Sequence, residues 1–303
     1  MRAFALLAAA VVAASTASAQ ANPWGEGAAK KKPNGHYADV NGVHLYYETY
    51  GAPVAGKAPL VLLHGGLGAI EMFGPNLPLL AKGRQLVALD LHGHGRTPLG
   101  DRPMRIESMA DDVAALVAKL GLGKADVMGY SLGAGVALQT AIRHPDVVNR
   151  LVLVSTIFRR SAFYPDILVQ QQQVNAQAAE MMKATPMWAL YSSIAPNPSE
   201  FPKLLDAIGT LMKGDYDWSA QIPSVKAPAL IVQADADIVP PSHAVELFGL
   251  LGGGKKDGGW DGSGRIASRL AIVPGLTHYN IFADTTVTAI AIPFLDQVAP
   301  IGK

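Results

Sequence analysis

Gly129-Tyr130-Ser131-Leu132-Gly133 follows the short apolar run Ala125-Asp126-Val127-Met128 and opens a helical pattern that stops at Pro145. A strand, a sharp turn and a helix in that order are what a Gly-x-Ser-x-Gly nucleophile elbow requires. Such a turn forces the serine into a strained backbone conformation, so its neighbours must lack bulk, and glycine has no Cβ to clash. The serine Oγ then stands at a helix N-terminus, where backbone N–H groups and the helix dipole favour developing negative charge.

A serine at its free pKa is a poor nucleophile, so it needs a base, and the base needs an orienting acid. The elbow arrangement puts these in the chain order Ser, then Asp or Glu, then His. Three histidines follow Ser131. His144 precedes Pro145 and reads as a positive charge at a helix C-terminus. His243 lies at the start of a helix and is expected to be neutral and solvated. His278 follows an apolar strand through Pro274-Gly275-Leu276-Thr277, at the carboxyl end where open α/β sheets meet their ligands, and is the expected general base. The acid should come from an earlier loop at that edge. The loop 233–240 carries Asp235 and Asp237; the first suits a turn and the second precedes an apolar pair and a proline. No acid follows the strand ending at Val154. For the oxyanion, one donor is expected from the Leu132 amide and a second from His64-Gly65-Gly66-Leu67-Gly68, with Gly66 as donor and Leu67 its neighbouring alternative. His64 reads as a structural residue of that loop.

The surrounding pattern alternates strand and helix. Asn41-Gly42 between 37–40 and 43–47 is a type I′ hairpin signal. Residues 60–63, 85–90, 125–128, 151–154, 229–232 and 270–273 read as buried strands. Helical patterns occupy 108–120, 131–144, a stretch from 242 and a last one ending near 298. Near-continuous apolar strands alternating with helices mean a parallel sheet covered on both faces. Residues 157–221 contain no convincing strand and read as a helical cap. Its Met181, Met182, Trp188 and Tyr191 are candidates for an apolar substrate pocket. The domains expected are thus an α/β core, 36–156 with 222–303, and the cap 157–221. The glycine-rich stretch 252–264 reads as a surface loop whose Trp260 packs onto the body. Its place upstream of the histidine strand leaves two readings, a rim of the pocket mouth or a decoration. Asp257 and Asp261 there do not have EF-hand spacing.

Composition narrows the field. The chain has 303 residues, half of them hydrophobic, and a formal net charge of +1, which gives no sign of nucleic acid or an anionic membrane as partner. It has 0 cysteines, which excludes disulfides, thiolate metal sites and cysteine nucleophiles. His92 and His94 form a His-x-His pair without an obvious third ligand, so no metal is expected. At the N-terminus, Arg2, an apolar stretch 4–14 and Ala17-Ser18-Ala19 read as an export signal cleaved before Gln20. Residues 20–35 read as a flexible leader. The expectation is a periplasmic or secreted protein whose mature form has no membrane span.

His64-Gly65-Gly66, the run Asp90-Leu91-His92-Gly93-His94-Gly95-Arg96-Thr97, the elbow at Ser131, Asp237 before Ile-Val-Pro, and Pro274-Gly275-Leu276-Thr277-His278 occur in that order. Together they resemble the α/β-hydrolase superfamily, over nearly the whole chain beyond residue 37. The resemblance is to small capped serine hydrolases: esterases, carbon–carbon bond hydrolases, enol-lactonases and cofactor-free perhydrolases. It implies an eight-stranded, mostly parallel sheet, a helical cap after the sixth strand, and a triad of Ser131, Asp237 and His278. It implies no cofactor, and a small-molecule substrate. Haloalkane dehalogenases and epoxide hydrolases carry aspartate at the elbow, so Ser131 argues against both. The expected activity is hydrolysis of a small carboxylic ester. A carbon–carbon hydrolase or lactonase would use the same triad, and a ligand-binding protein with vestigial turnover would keep the fold.

Overall fold

The structure is a computed structural model that describes residues 35–297. The export signal and nearly all of the leader read from the sequence lie outside the described residues.

The chain enters as a hairpin, β1 (Gly35–Val40) and β2 (Val43–Tyr50), closed by Asn41 and Gly42 at φ 47° and 79°. Both values are positive, as a type I′ turn demands, and only asparagine, aspartate and glycine adopt them readily. Six further strands follow: β3 (Leu60–Leu63), β4 (Leu86–Leu89), β5 (Ala125–Tyr130), β6 (Val148–Val154), β7 (Ala229–Ala236) and β8 (Arg269–Thr277). They form one 8-stranded sheet in the order β1-β2-β4-β3-β5-β6-β7-β8. β2 runs antiparallel to β1 and β4, and all other pairings are parallel. This is the α/β-hydrolase fold expected from the sequence.

Parallel strands with helices on both faces bury both sets of side chains, which is why β3 and β4 are uninterrupted apolar runs. On one face Val61 and Leu63 pack with Val113 and Val117 of α2 (Ile106–Lys119) and Leu138 of α3 (Leu132–Arg143). On the other, Leu60 and Leu62 pack with Leu80 of α1 (Asn76–Ala81) and with Val287 and Ala291 of the last helix. Each such side chain contributes about 1.5–3 kcal/mol of burial, so the alternation along the strands fixes their register.

Between β6 and β7 come four α-helices: α4 (Pro165–Gln171), α5 (Ala179–Met182), α6 (Pro186–Ile194) and α7 (Phe201–Lys213). Backbone pairing of Arg159 with Asp217, and the bond from Trp218 N–H to Phe158 O at 3.0 Å, tie the ends of this insertion together. α7 buries Phe201, Leu204, Leu205 and Ile208, one stripe at helical spacing, over the carboxyl edge of the sheet. α8 (Pro241–Leu250) and α9 (Thr285–Leu295) complete the core. Among the described residues no helix is long and apolar enough to cross a membrane.

One open alternative is decided here, and two local expectations need correction. Residues 252–264 join the end of α8 to the start of β8, and β8 runs parallel to β7, so this loop lies at the opposite edge of the sheet from His278 and does not rim the pocket. Trp260 does not pack onto the body; it is fully exposed, on a loop shaped by its own turns at Asp257 and Asp261. β8 is also longer than expected. It continues through Pro274 to Thr277 past a register shift opposite Ala234 and Ala236, where the Asp235 carboxylate accepts the Gly275 N–H at 2.9 Å. That bond ties the two strands together beside Pro274, which has no N–H to donate to the ladder.

Candidate active site

Ser131 sits between β5 and α3 with φ 52° and ψ −115°, the strained conformation anticipated for a nucleophile elbow. The glycines on either side are sterically required. A Cβ on Gly129 would lie 2.1 Å from Gly133 O, and one on Gly133 would lie 2.3 Å from Leu63 O and 2.5 Å from His64 O. These are backbone atoms, which cannot swing aside. Gly133→Ala is therefore expected to lower Tm by roughly 5 °C or more, as overpacking in a rigid site does. Thermal denaturation followed by circular dichroism checks this, and an unchanged Tm would show that the backbone yields there.

His278 follows β8 directly. Its Nε2 lies 3.0 Å from Ser131 Oγ and its Nδ1 lies 2.6 Å from Asp237 Oδ1. Asp237 is buried on the loop after β7. Burial by itself pushes the Asp237 carboxyl up. The hydrogen bond and charge of His278, with hydrogen bonds from the Ser155 hydroxyl at 2.5 Å and the Ile238 N–H at 2.8 Å, outweigh it and hold the group below the ordinary carboxylate range. The structure thus brings Ser131, His278 and Asp237 into one hydrogen-bonded line and leaves Asp235 out of it. An imidazole held by a carboxylate on one side and facing a hydroxyl on the other can take that hydroxyl's proton.

The expected oxyanion donors meet at the same place. Among the described residues, neither the Leu132 N–H nor the Gly66 N–H has an acceptor within the protein. Leu67 has a left-handed φ of 56°, which turns the loop after Gly66. His64 anchors it: Nε2 accepts the Leu91 N–H at 3.0 Å, so the proton is on Nδ1, which donates to Gly65 O at 2.7 Å. Burial pushes the His64 ring down to about 4 and keeps it neutral. Asp90 braces the same loop by accepting the Ile70 N–H and the Arg96 N–H, each at 2.9 Å, while Arg96 also pairs with Glu71. Burial first, and then the Glu71 charge, push the Asp90 carboxyl up to about 7. Gly95 has no alternative here, because a Cβ would fall 2.4 Å from that carboxyl.

His92, His94, His144 and His243 have partners away from the triad. His92 and His94 donate to the carbonyls of Leu99 and His92 at 2.6 and 3.0 Å. Among the described residues no cluster of three or more histidines, cysteines or acids has metal-binding geometry. His144 pairs with Asp111 at the end of α3, in the place expected for it. His243 corrects the expectation of a solvated residue. It is buried, stacks on Phe158 at 4.0 Å, and accepts the Phe158 N–H at Nε2; burial pushes it down to about 4.

Of the four cap residues named as pocket candidates, Met182 and Tyr191 are buried, and Met181 and Trp188 are partly so. Trp188 and Tyr191 set their rings against Phe201 at 5.1 and 5.2 Å, inside the cap. The cap side chain over the oxyanion loop is Ile208 of α7: a Cβ on Gly66 would meet Ile208 Cδ1 at 3.0 Å and Leu132 Cδ2 at 4.0 Å. Three site residues were missed in the sequence. Ile208 could have been found from the buried stripe of α7. Ser155 stands in the position after β6, where the sequence offers no acid. Tyr130 occupies the elbow position before the nucleophile, and its hydroxyl donates to the His278 carbonyl at 2.5 Å while its ring lies 5.2 Å from the imidazole.

Comparison with known proteins agrees with this architecture. A family described as having the alpha/beta hydrolase fold matches residues 58–186. A protein of Caulobacter vibrioides named as a carbamate hydrolase, RutD, is 31% identical over 234 residues, 70% of this chain and 84% of its own. The crystal structure of the enol-lactonase from Burkholderia xenovorans superposes with a TM-score of 0.67 at 22% identity, covering 86% of this chain and 100% of that one. A thermophilic esterase from Thermogutta terrifontis gives 0.61 at 23% identity, covering 84% and 94%.

Proposed function

The chain belongs to the α/β-hydrolase superfamily, and we propose that it is an exported serine hydrolase acting on small carboxylic esters through an acyl-enzyme. The observation that carries this reading is the hydrogen-bonded line from Ser131 Oγ through His278 to Asp237, at 3.0 and 2.6 Å. Ser131 attacks the ester carbonyl as His278 Nε2 takes its proton. The Leu132 and Gly66 amides stabilise the oxyanion. His278 returns the proton to the departing alcohol, and the cycle repeats with water to release the acid. Asp237 keeps the imidazole in the tautomer with its proton on Nδ1 and stabilises the imidazolium. Export is supported by the sequence of residues 1–19 alone.

Initial rates on p-nitrophenyl esters from acetate to a long acyl chain, on lactones and on carbamates, with mass-spectrometric mapping of fluorophosphonate labelling, test the reading. Ester turnover that disappears as Ser131 becomes labelled supports it. Labelling without ester turnover, with hydrolysis of lactones or carbamates, would keep the nucleophile and replace the substrate class. Tight binding without labelling or product would replace the enzyme by a binding protein. The same panel sizes the pocket. Ile208→Ala is expected to move the optimum to longer acyl chains, by about fourfold in kcat/KM for each extra methylene accommodated. An unchanged chain-length profile would take Ile208 out of the pocket.

A further inference from the structure

Ser155 is the first residue after β6, and it is fully buried. Its φ is 50°, in the left-handed region that side chains avoid. Among the described residues the other non-glycine residues with positive φ are Asn41, Leu67 and Ser131. Asn41 belongs to the hairpin turn; the remaining three surround one site. Such conformations cost about 1–3 kcal/mol each and persist where the surroundings over-determine them. At Ser155 the constraints are visible: its N–H donates to Val232 O at 2.8 Å, and its hydroxyl donates to Asp237 Oδ2 at 2.5 Å.

The two carboxylate oxygens of Asp237 are held differently. Oδ1 accepts from both His278 Nδ1 and the Ile238 N–H, whereas Oδ2 accepts from Ser155. We propose that Ser155 is a positioning residue of the triad, whose hydroxyl locks the outer oxygen of Asp237 so that the inner one stays in line with His278. The proposal rests on Asp237 being the acid of the proposed function. Glycine would suit this backbone better than serine, so the hydroxyl, not the conformation, explains the residue. Without that donor the buried carboxylate keeps two hydrogen bonds on one oxygen and none on the other. It can rotate, and it takes up a proton more readily. The groups facing it are His278 from the loop after β8, the Ile238 N–H, and the hydroxyls of Tyr130 and Tyr279, whose ionisation burial and then the Asp237 charge oppose. Asp166 acts in turn on Tyr279.

The test compares Ser155→Ala with Ser155→Gly. Both lose the hydroxyl, but only glycine relieves the positive φ. Both are expected to lose about tenfold or more in kcat, from one hydrogen bond to a buried charge, with KM within about twofold. The acid limb of the pH–rate profile moves to higher pH in both, because the Asp237 carboxyl holds its proton longer. Ser155→Gly melts above Ser155→Ala, so activity and stability part company. The low-field proton resonance of the Asp237–His278 hydrogen bond shifts or broadens in both variants. Ser155→Gly with wild-type kcat, pH profile and resonance would overturn the proposal. So would activity that merely follows Tm. If hydrolysis proves independent of Ser131, the catalytic reading falls, and the resonance still decides whether Ser155 holds the pair.

Discussion

Ser131→Ala is expected to lower turnover of the best ester by on the order of a thousandfold or more, with KM little changed and the fold intact. The size follows from what the hydroxyl does. It makes the bond that converts one difficult step into two easier ones, and His278 Nε2, 3.0 Å away, has no other proton to take at that point. Alanine fits without strain beyond that already present, because the elbow conformation is set by Gly129, Gly133 and the Ser131 N–H bond to Val154 O at 2.9 Å. What survives is binding and the oxyanion amides, worth perceptible catalysis over water but far below the parent. Initial rates of both proteins on one p-nitrophenyl ester, with Tm as the folding control, measure the loss. A variant within tenfold of the parent would remove Ser131 from the chemistry.

The site was legible in the sequence wherever its parts are fixed by local chain rules. The elbow reads from five residues because sterics at Gly129 and Gly133 leave no other choice. Strand ends read from apolar runs, so His278 and the loop of Asp235 and Asp237 could be set at one edge before any coordinates. Which residues reach across the fold was not legible. Ser155 meets Asp237 across 82 positions and Tyr130 meets the loop of His278 across 148, contacts that no local period encodes. His243 was misjudged for a related reason. Its position at a helix start says nothing of Phe158, which arrives from the cap boundary and stacks over the ring. Whether residues 252–264 rim the pocket stayed open in the sequence, because adjacency to the histidine strand along the chain does not say which end of that strand faces the site. In a parallel sheet the two ends of one strand lie on opposite edges, so a loop before β8 and a histidine after it are kept apart by the strand's full length.

Asp237→Asn is expected to cost on the order of 10³- to 10⁴-fold in kcat, while Asp235→Asn stays within about twofold. The two aspartates are two residues apart, and the geometry separates them. Asp235 accepts the Gly275 N–H at the surface, a bond that an asparagine carbonyl makes equally well. Asp237 is buried, and its charge is what the imidazolium faces when His278 has taken the proton. An amide at 237 offers His278 either of two faces. If its NH₂ turns to Nδ1, the imidazole must carry its proton on Nε2 and cannot accept one from Ser131. If its oxygen turns to Nδ1, the tautomer survives and only the counter-charge is lost. The Ile238 N–H on the same oxygen favours the second orientation, so the loss is expected nearer the lower figure. Steady-state rates on one ester for both variants decide the matter. A large loss at Asp235 with none at Asp237 would reverse the assignment, and small losses at both would mean that His278 works without a buried acid.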